Sequence, residues 1–216
     1  MCGMKTANLG INQQQKYPSS LIFFTNILFC SIQVTGMLKK VLSEIDLYLD
    51  TVHVIKIDRA KLKNDILNSF ASQKRLSKNK KDYSYQDFEV PFSKPLHWLK
   101  DYLRDHFKVD YHRALISKKE WGNIYKPFES SISRNQVDLI DLKNSPDYTC
   151  LYGLDVTKDS CELVIEYNDN RRANRTWHIP LKDNQFIIFP STQRYFISQN
   201  KSKQMNIFLT ITYHYI

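Results

Sequence analysis

Glycine is scarce in this chain, five in 216 residues, and proline numbers only seven. That excludes collagen-like and Pro/Gly low-complexity sequences. No glycine-rich phosphate loop, GxSxG elbow or HExxH helix is present, so three common kinds of catalytic site have no footing. Cysteine is limited to Cys2, Cys30, Cys150 and Cys161, none in C-x-x-C spacing. A zinc knuckle and a disulfide framework are therefore not expected, and a reducing compartment is. No internal period marks a solenoid. A clean membrane span is also missing. Leu21 to Leu38 is long enough, at about 18 residues, but Thr25, Asn26, Ser31, Gln33 and Thr35 interrupt it. It lacks the basic front and small-residue cleavage site of a signal peptide. Three readings stay open for residues 1–36: an extension upstream of a start at Met37, a packed helix, or an anchor.

What the chain has is aromatic and basic. Thirteen Tyr and twelve Phe, with 42% hydrophobic residues, supply enough apolar surface to offset the entropy of ordering. The net charge of +9 favours solubility and contact with anionic partners. Lys74, Arg75, Lys78, Lys80 and Lys81 cluster near Tyr83 and Tyr85. The cluster is either a solvated loop or a phosphate-contacting patch with stacking tyrosines. Arg171, Arg172 and Arg175 mark a hairpin loop with the same two readings. Trp98, Trp121 and Trp177 read as core or junction aromatics.

The spacing of Leu38, Val41, Leu42, Ile45 and Leu49 predicts a helix over 37–50. Val52 to Ile57 reads as a strand. Asp58 is a candidate N-cap for a helix through Phe70, with Leu62, Ile66, Leu67 and Phe70 on one face. A second helix is predicted after Pro95, through His106. From about Tyr111 the texture changes to seven short apolar runs separated by turn residues: RALIS, YTCLYGLDV, CELVIEY, RTWHIPL, NQFIIFP, RYFISQ and MNIFLTITYHY. That pattern predicts an antiparallel sandwich or jelly roll. The fold class is α+β. Residues 1–36 form an extension, and 37–216 form one domain with a helical part (37–110) and a β core (111–216).

The run from His178 to Ser191, ending in Phe189-Pro190-Ser191, resembles a signature stretch of the iron(II)/2-oxoglutarate oxygenase superfamily. Asp138, the segment Ser145–Leu154 and the segment Glu162–Glu166 follow in an order similar to that family's. The chain from about Val52 also resembles small oxygenase-like proteins of T4-like phages of cyanobacteria. The resemblance implies a double-stranded β-helix (jelly roll) with the N-terminal helices packed on one sheet. In active members it implies a 2-His-1-carboxylate iron site and an Arg that grips 2-oxoglutarate.

Carried over residue by residue, the resemblance puts the carboxylate at Asp138. It puts Gln136 and Tyr195 at the two histidine positions and Asn206 at the arginine position. Neither an amide nor a neutral phenol matches imidazole for iron(II), and Asn206 carries no charge. Of the six histidines, His178, His214 and His112 are the candidates to rebuild a triad, none with suitable spacing.

The leading expectation is a degenerate oxygenase-fold protein of phage-like origin, non-catalytic, with a binding or structural role and no cofactor. The first alternative is an active oxygenase with a rearranged triad, holding iron(II) and 2-oxoglutarate. The second is a basic module contacting nucleic acid or a virion protein through Lys78, Lys80, Lys81, Arg171 and Arg172. A cytoplasmic or virion-associated location is expected, with no strong membrane signal.

Overall fold

A computed structural model of the chain describes residues 45–53, 57–76, 88–107, 115–170 and 173–215. The apolar stretch 21–38, the first part of the helix predicted over 37–50, Lys78, Lys80, Lys81, His112, Arg171 and Arg172 lie outside the described residues.

Nine strands and two long helices follow in order: β1 (Tyr48–Thr51), α1 (Arg59–Leu76), β2 (Phe88–Glu89), α2 (Lys94–Phe107), β3 (Leu115–Tyr125), β4 (Tyr148–Asp155), β5 (Glu162–Asn170), β6 (Ala173–Pro180), β7 (Gln185–Pro190), β8 (Arg194–Ile197) and β9 (Asn206–Tyr215). Asp58 caps α1 as predicted, its carboxylate accepting from the Lys61 backbone N–H at 2.9 Å. Ser93 caps α2 through the Leu96 N–H at 3.4 Å, with Pro95 tolerated in the first turn.

The strands form two antiparallel sheets. The larger has the order β1-β7-β4-β9-β3-β2, and the smaller β6-β5-β8. Residues 131–136 add an outer strap to the smaller sheet. Arg134 and Tyr195 exchange backbone hydrogen bonds at 2.9 and 2.8 Å, and the Gln136 N–H reaches the Ser191 carbonyl at 3.1 Å. Two facing sheets joined by crossing connections make a double-stranded β-helix, an α+β fold with helices on one sheet.

Alternation along the strands creates two cores. On β9, Ile207, Leu209, Ile211 and Tyr213 face the helices, where Leu62, Ile66, Leu96, Leu99 and Leu103 are fully buried. Phe208 faces the other way, into a barrel interior filled by Tyr125, Leu151, Leu163, Ile165, Ile187, Phe189, Tyr195 and Ile197. Cys150 is buried in the first core and Cys161 in the second, both as free thiols. Cys150 thus behaves as the small apolar residue its sequence context predicts.

Four expectations need correction. The C-terminal part of the helix predicted over 37–50 is strand β1, paired with the edge of β7 from Tyr48↔Ile188 to Thr51↔Gln185. Leu49, placed on the apolar stripe, is 48% exposed. An open sheet edge outweighs a short helical period, since helix propensity is a weak prior. Of the strand predicted at Val52–Ile57, residues 54–56 lie outside the described residues, while Val52, His53 and Ile57 are not in a strand: β1 ends at Thr51, where Asn184 clamps Val52, its Nδ2 donating to the Val52 carbonyl at 2.8 Å and its backbone carbonyl accepting the Val52 N–H at 3.0 Å. Arg175 lies within β6, opposite Tyr167, and not in a loop. Trp98 and Trp177 are surface residues, 41% and 46% exposed, and Trp177 stacks on Tyr167 with a 9° interplanar angle.

Gly122 of β3 is where α1 comes closest to the sheet. A Cβ there would lie 2.6 Å from Ile66 Cγ2. Gly122→Ala is expected to destabilise the fold by about 1–3 kcal/mol through overpacking. Ile66→Ala, which removes the Cγ atoms that the new methyl would strike, should cost less in that background than in the parent chain. Urea unfolding of the four variants in a double-mutant cycle checks this, and additive costs would refute the contact.

Tyr152 is fully buried, and its hydroxyl donates to Asn184 Oδ1 at 2.8 Å. Burial, partly opposed by nearby Arg59, pushes its pKa up to about 12 from an ordinary 10. The folded state therefore favours the neutral phenol. Its contribution is complete below the unfolded-state pKa and is lost as pH rises from there through about 12. Stability is expected to fall on the order of 1–3 kcal/mol across that window from this residue alone. Denaturant midpoints at neutral and strongly alkaline pH should show a shallower fall for Tyr152→Phe.

Candidate functional site at the barrel mouth

One end of the barrel opens to solvent, and its geometry follows from β9 and its neighbours. Thr212 pairs with Thr149 of β4 on one side and Lys119 of β3 on the other. Thr149 and Ser191 share a buried hydroxyl–hydroxyl bond of 2.8 Å beside this rim. The strap delivers Gln136 to the same end through its bond to Ser191. A cavity of about 270 Å³ lies here, lined by β3 residues Lys118, Lys119 and Trp121, by Gln136 and Asp138, and by Asp141, Asn144 and Ser145 of the following loop.

The structure brings Gln136 and Tyr195 together, as their positions imply. Gln136 Nε2 donates to the Tyr195 hydroxyl at 2.8 Å. Tyr195 is buried in the barrel core, with its ring edge-on to Phe189 at 5.0 Å. Asp138 lines the same cavity from an exposed loop. Its Oδ1 accepts the Ile140 N–H at 2.9 Å, and its own N–H donates to Ser145 Oγ at 2.8 Å. Asp141 closes the loop on Asn144, accepting from Nδ2 at 2.9 and 3.0 Å. Both carboxylates are thereby held in place by neutral partners.

Asn206 lies elsewhere. It sits six residues from Thr212 along β9, roughly 20 Å at a strand's rise per residue. There it is fully buried at the closed end of the barrel. Its Nδ2 donates to Ser160 Oγ at 2.8 Å and lies 3.3 Å from Cys161 Sγ, and its Oδ1 accepts the Thr157 N–H at 3.0 Å. These bonds tie β9 to the β4–β5 turn. Between Asn206 and the mouth the interior is apolar, apart from Thr210, which donates to Asn123 Oδ1 at 2.6 Å.

The histidines do not gather. His178 is exposed on β6 and pairs with Glu162 at 2.9 Å. His214 lies two residues beyond Thr212 at the far end of β9, opposite Ile116. Among the described residues no group of three His, Cys, Asp or Glu side chains is placed to hold a metal ion. The donor set at the mouth does not fit iron(II). Gln136 and Tyr195 are neutral and bonded to each other, leaving Asp138 as the one anionic position of the three. Arg at the position of Asn206 would have to displace three hydrogen-bonding partners.

The sequence reading missed Lys118, Lys119, Asp141 and Thr212 as mouth residues and took Trp121 for core. The available signal was Ser117-Lys118-Lys119, two adjacent cations inside an otherwise alternating strand.

No family model and no curated protein matches the sequence. Solved structures do match. A viral collagen prolyl hydroxylase from Paramecium Bursaria Chlorella virus-1 aligns over 77% of this chain and 94% of its own, at 14% identity and a TM-score of 0.55. A prolyl hydroxylase from Trichoplax adhaerens aligns over 92% and 94%, at 10% identity and 0.51. EvdMO1 aligns over 79% of this chain at 10% identity and 0.58. The chain spans about half the length of some matches, 47% of EvdMO1 and 56% of a 2OG-Fe(II) oxygenase family oxidoreductase from Burkholderia pseudomallei. At such identities the likeness speaks for the fold, and no described helix is long and apolar enough to cross a membrane. The fold is the double-stranded β-helix of the iron(II)/2-oxoglutarate oxygenases.

Proposed function

We propose that this chain keeps the oxygenase jelly roll as a non-catalytic binding scaffold. The observation that carries the reading is the hydrogen bond between Gln136 and Tyr195. Two side chains at histidine positions satisfy each other directly, where an iron site needs both to point lone pairs at a cation. The bond gives the mouth a fixed floor that needs no metal. Asn206 supports the same reading. Its side chain joins the two ends of a turn, and a dicarboxylate would find no guanidinium at that position. A viral origin belongs to this reading through the sequence resemblance alone.

The chemistry this leaves to the protein's own residues is binding. Lys118, Lys119 and Trp121 line the mouth from β3, and Asp138 and Asp141 line it from the loop that follows the strap. None of these groups needs to change covalently to hold a ligand.

Titration with iron(II) and 2-oxoglutarate tests the proposal. The parent chain is expected to bind no stoichiometric iron and to release no succinate. The double variant Gln136→His, Tyr195→His should take up one Co(II) per chain, read from visible d–d absorption, because Asp138 lines the same cavity as Gln136. Stoichiometric iron and succinate release by the parent chain would sink the proposal.

A further inference from the structure

The mouth carries both signs of charge on separate elements. In a regular strand, adjacent side chains point to opposite faces. β3 has a register shift between Ser117 and Lys119, and both Lys118 and Lys119 line the cavity. Bulges re-aim side chains in this way at functional rims. Among the described residues neither lysine makes an ion pair. Neither does Asp138 or Asp141, whose carboxylates accept only from neutral donors. Trp121 adds an indole N–H that is buried and meets no acceptor among the described residues.

A ligand with only negative charge would meet the two aspartates at close range. One with only positive charge would meet the two lysines. A ligand bearing both charges, a few bonds apart, satisfies both pairs, and desolvation at a half-enclosed site raises the worth of each contact. The volume of about 270 Å³ suits a small molecule. Leu139, Ile140 and Leu142 stand 79%, 97% and 63% exposed on the aspartate-bearing loop, an apolar rim beside the charged cavity.

From this we propose that the mouth binds a small zwitterion, with a free α-amino acid of apolar side chain as the simplest case. Its carboxylate lies toward Lys118, Lys119 and the Trp121 N–H, and its ammonium toward Asp138 and Asp141. The inference rests on reading the mouth as a binding site.

Full-length ¹⁵N-labelled protein titrated with L-leucine tests it. The Trp121 indole resonance, assigned by its loss in Trp121→Phe, is expected to shift at micromolar to millimolar ligand. N-acetyl-L-leucine lacks the cation and L-leucinamide lacks the carboxylate, and each should bind at least about tenfold more weakly. The pairs Lys118→Ala, Lys119→Ala and Asp138→Asn, Asp141→Asn should each abolish the shift. These positions are exposed or half-buried, and an otherwise unchanged amide spectrum would show that the fold persists. No shift with L-leucine or any other standard L-amino acid, or equal binding of the acetylated form, would overturn the inference. Adding iron(II) to the same samples separates the two proposals. Silence toward both ligands removes the zwitterion and leaves the non-catalytic reading intact. Stoichiometric iron binding with a leucine shift removes only the non-catalytic reading.

Discussion

Strand β9 is the constraint on which the molecule is built. It is the pairing partner of both β3 and β4, and every residue from Asn206 to Tyr213 is buried. Its two faces belong to different cores. Ile207, Leu209, Ile211 and Tyr213 hold the helices, while Phe208 fills the barrel. A one-residue slip would exchange these sets, driving Thr210, Thr212 and Asn206 against the helices. Asn206 blocks such a slip, because its three polar contacts exist in one register only. Asn206 thus has a structural task, which its complete burial enforces.

From that register the mouth follows. Thr212 fixes which β3 residues reach the rim, since Lys119 N–H donates to Thr212 Oγ1 at 3.1 Å. The strap is placed from the opposite sheet through Arg134 and Tyr195, and it brings Gln136 over the opening. The mouth is therefore made by β3, the strap that follows it and the distant strand β9, each held by backbone hydrogen bonds. Such preorganisation suits a binding site, because little ordering entropy remains to be lost when a ligand arrives.

The fold was legible because its apolar runs alternate strongly. YTCLYGLDV, NQFIIFP and MNIFLTITYHY each became a strand within a residue or two of their predicted limits. Both helices showed caps and a buried stripe. The failures have physical causes. Tyr48–Thr51 carries a helical period yet pairs with an edge that sequence cannot reveal. β3 runs to Tyr125, well past RALIS, because Ser117-Lys118-Lys119-Glu120 is polar and its bulge breaks the alternation that identifies strands. The site was legible in half. The family resemblance singled out Asp138, Gln136 two residues before it and Tyr195 four after Ser191, and the structure places Gln136 against Tyr195 and Asp138 in the same cavity. Lys118 and Lys119 carried only the mark of two adjacent cations in a strand, and Asp141 carried none, because a charge in a loop gives no sign of which cavity it enters.

On the proposed reading, a jelly-roll mouth without metal ligands selects by other means. An iron site imposes its own demands: three strong donors, open coordination positions and a counter-charge for the cosubstrate. With Gln136 bonded to Tyr195, the rim residues are released from that geometry. The rim then holds two lysines and two aspartates with no ion pair among them, although pairing would be the cheapest way to neutralise a partly enclosed charge. The loop bonds at Asp138 and Asp141 keep those carboxylates occupied with neutral donors, so the charges stay apart. On the proposed reading the jelly roll holds these charges open by its own geometry, through the bulge in β3 and the loop bonds at Asp138 and Asp141.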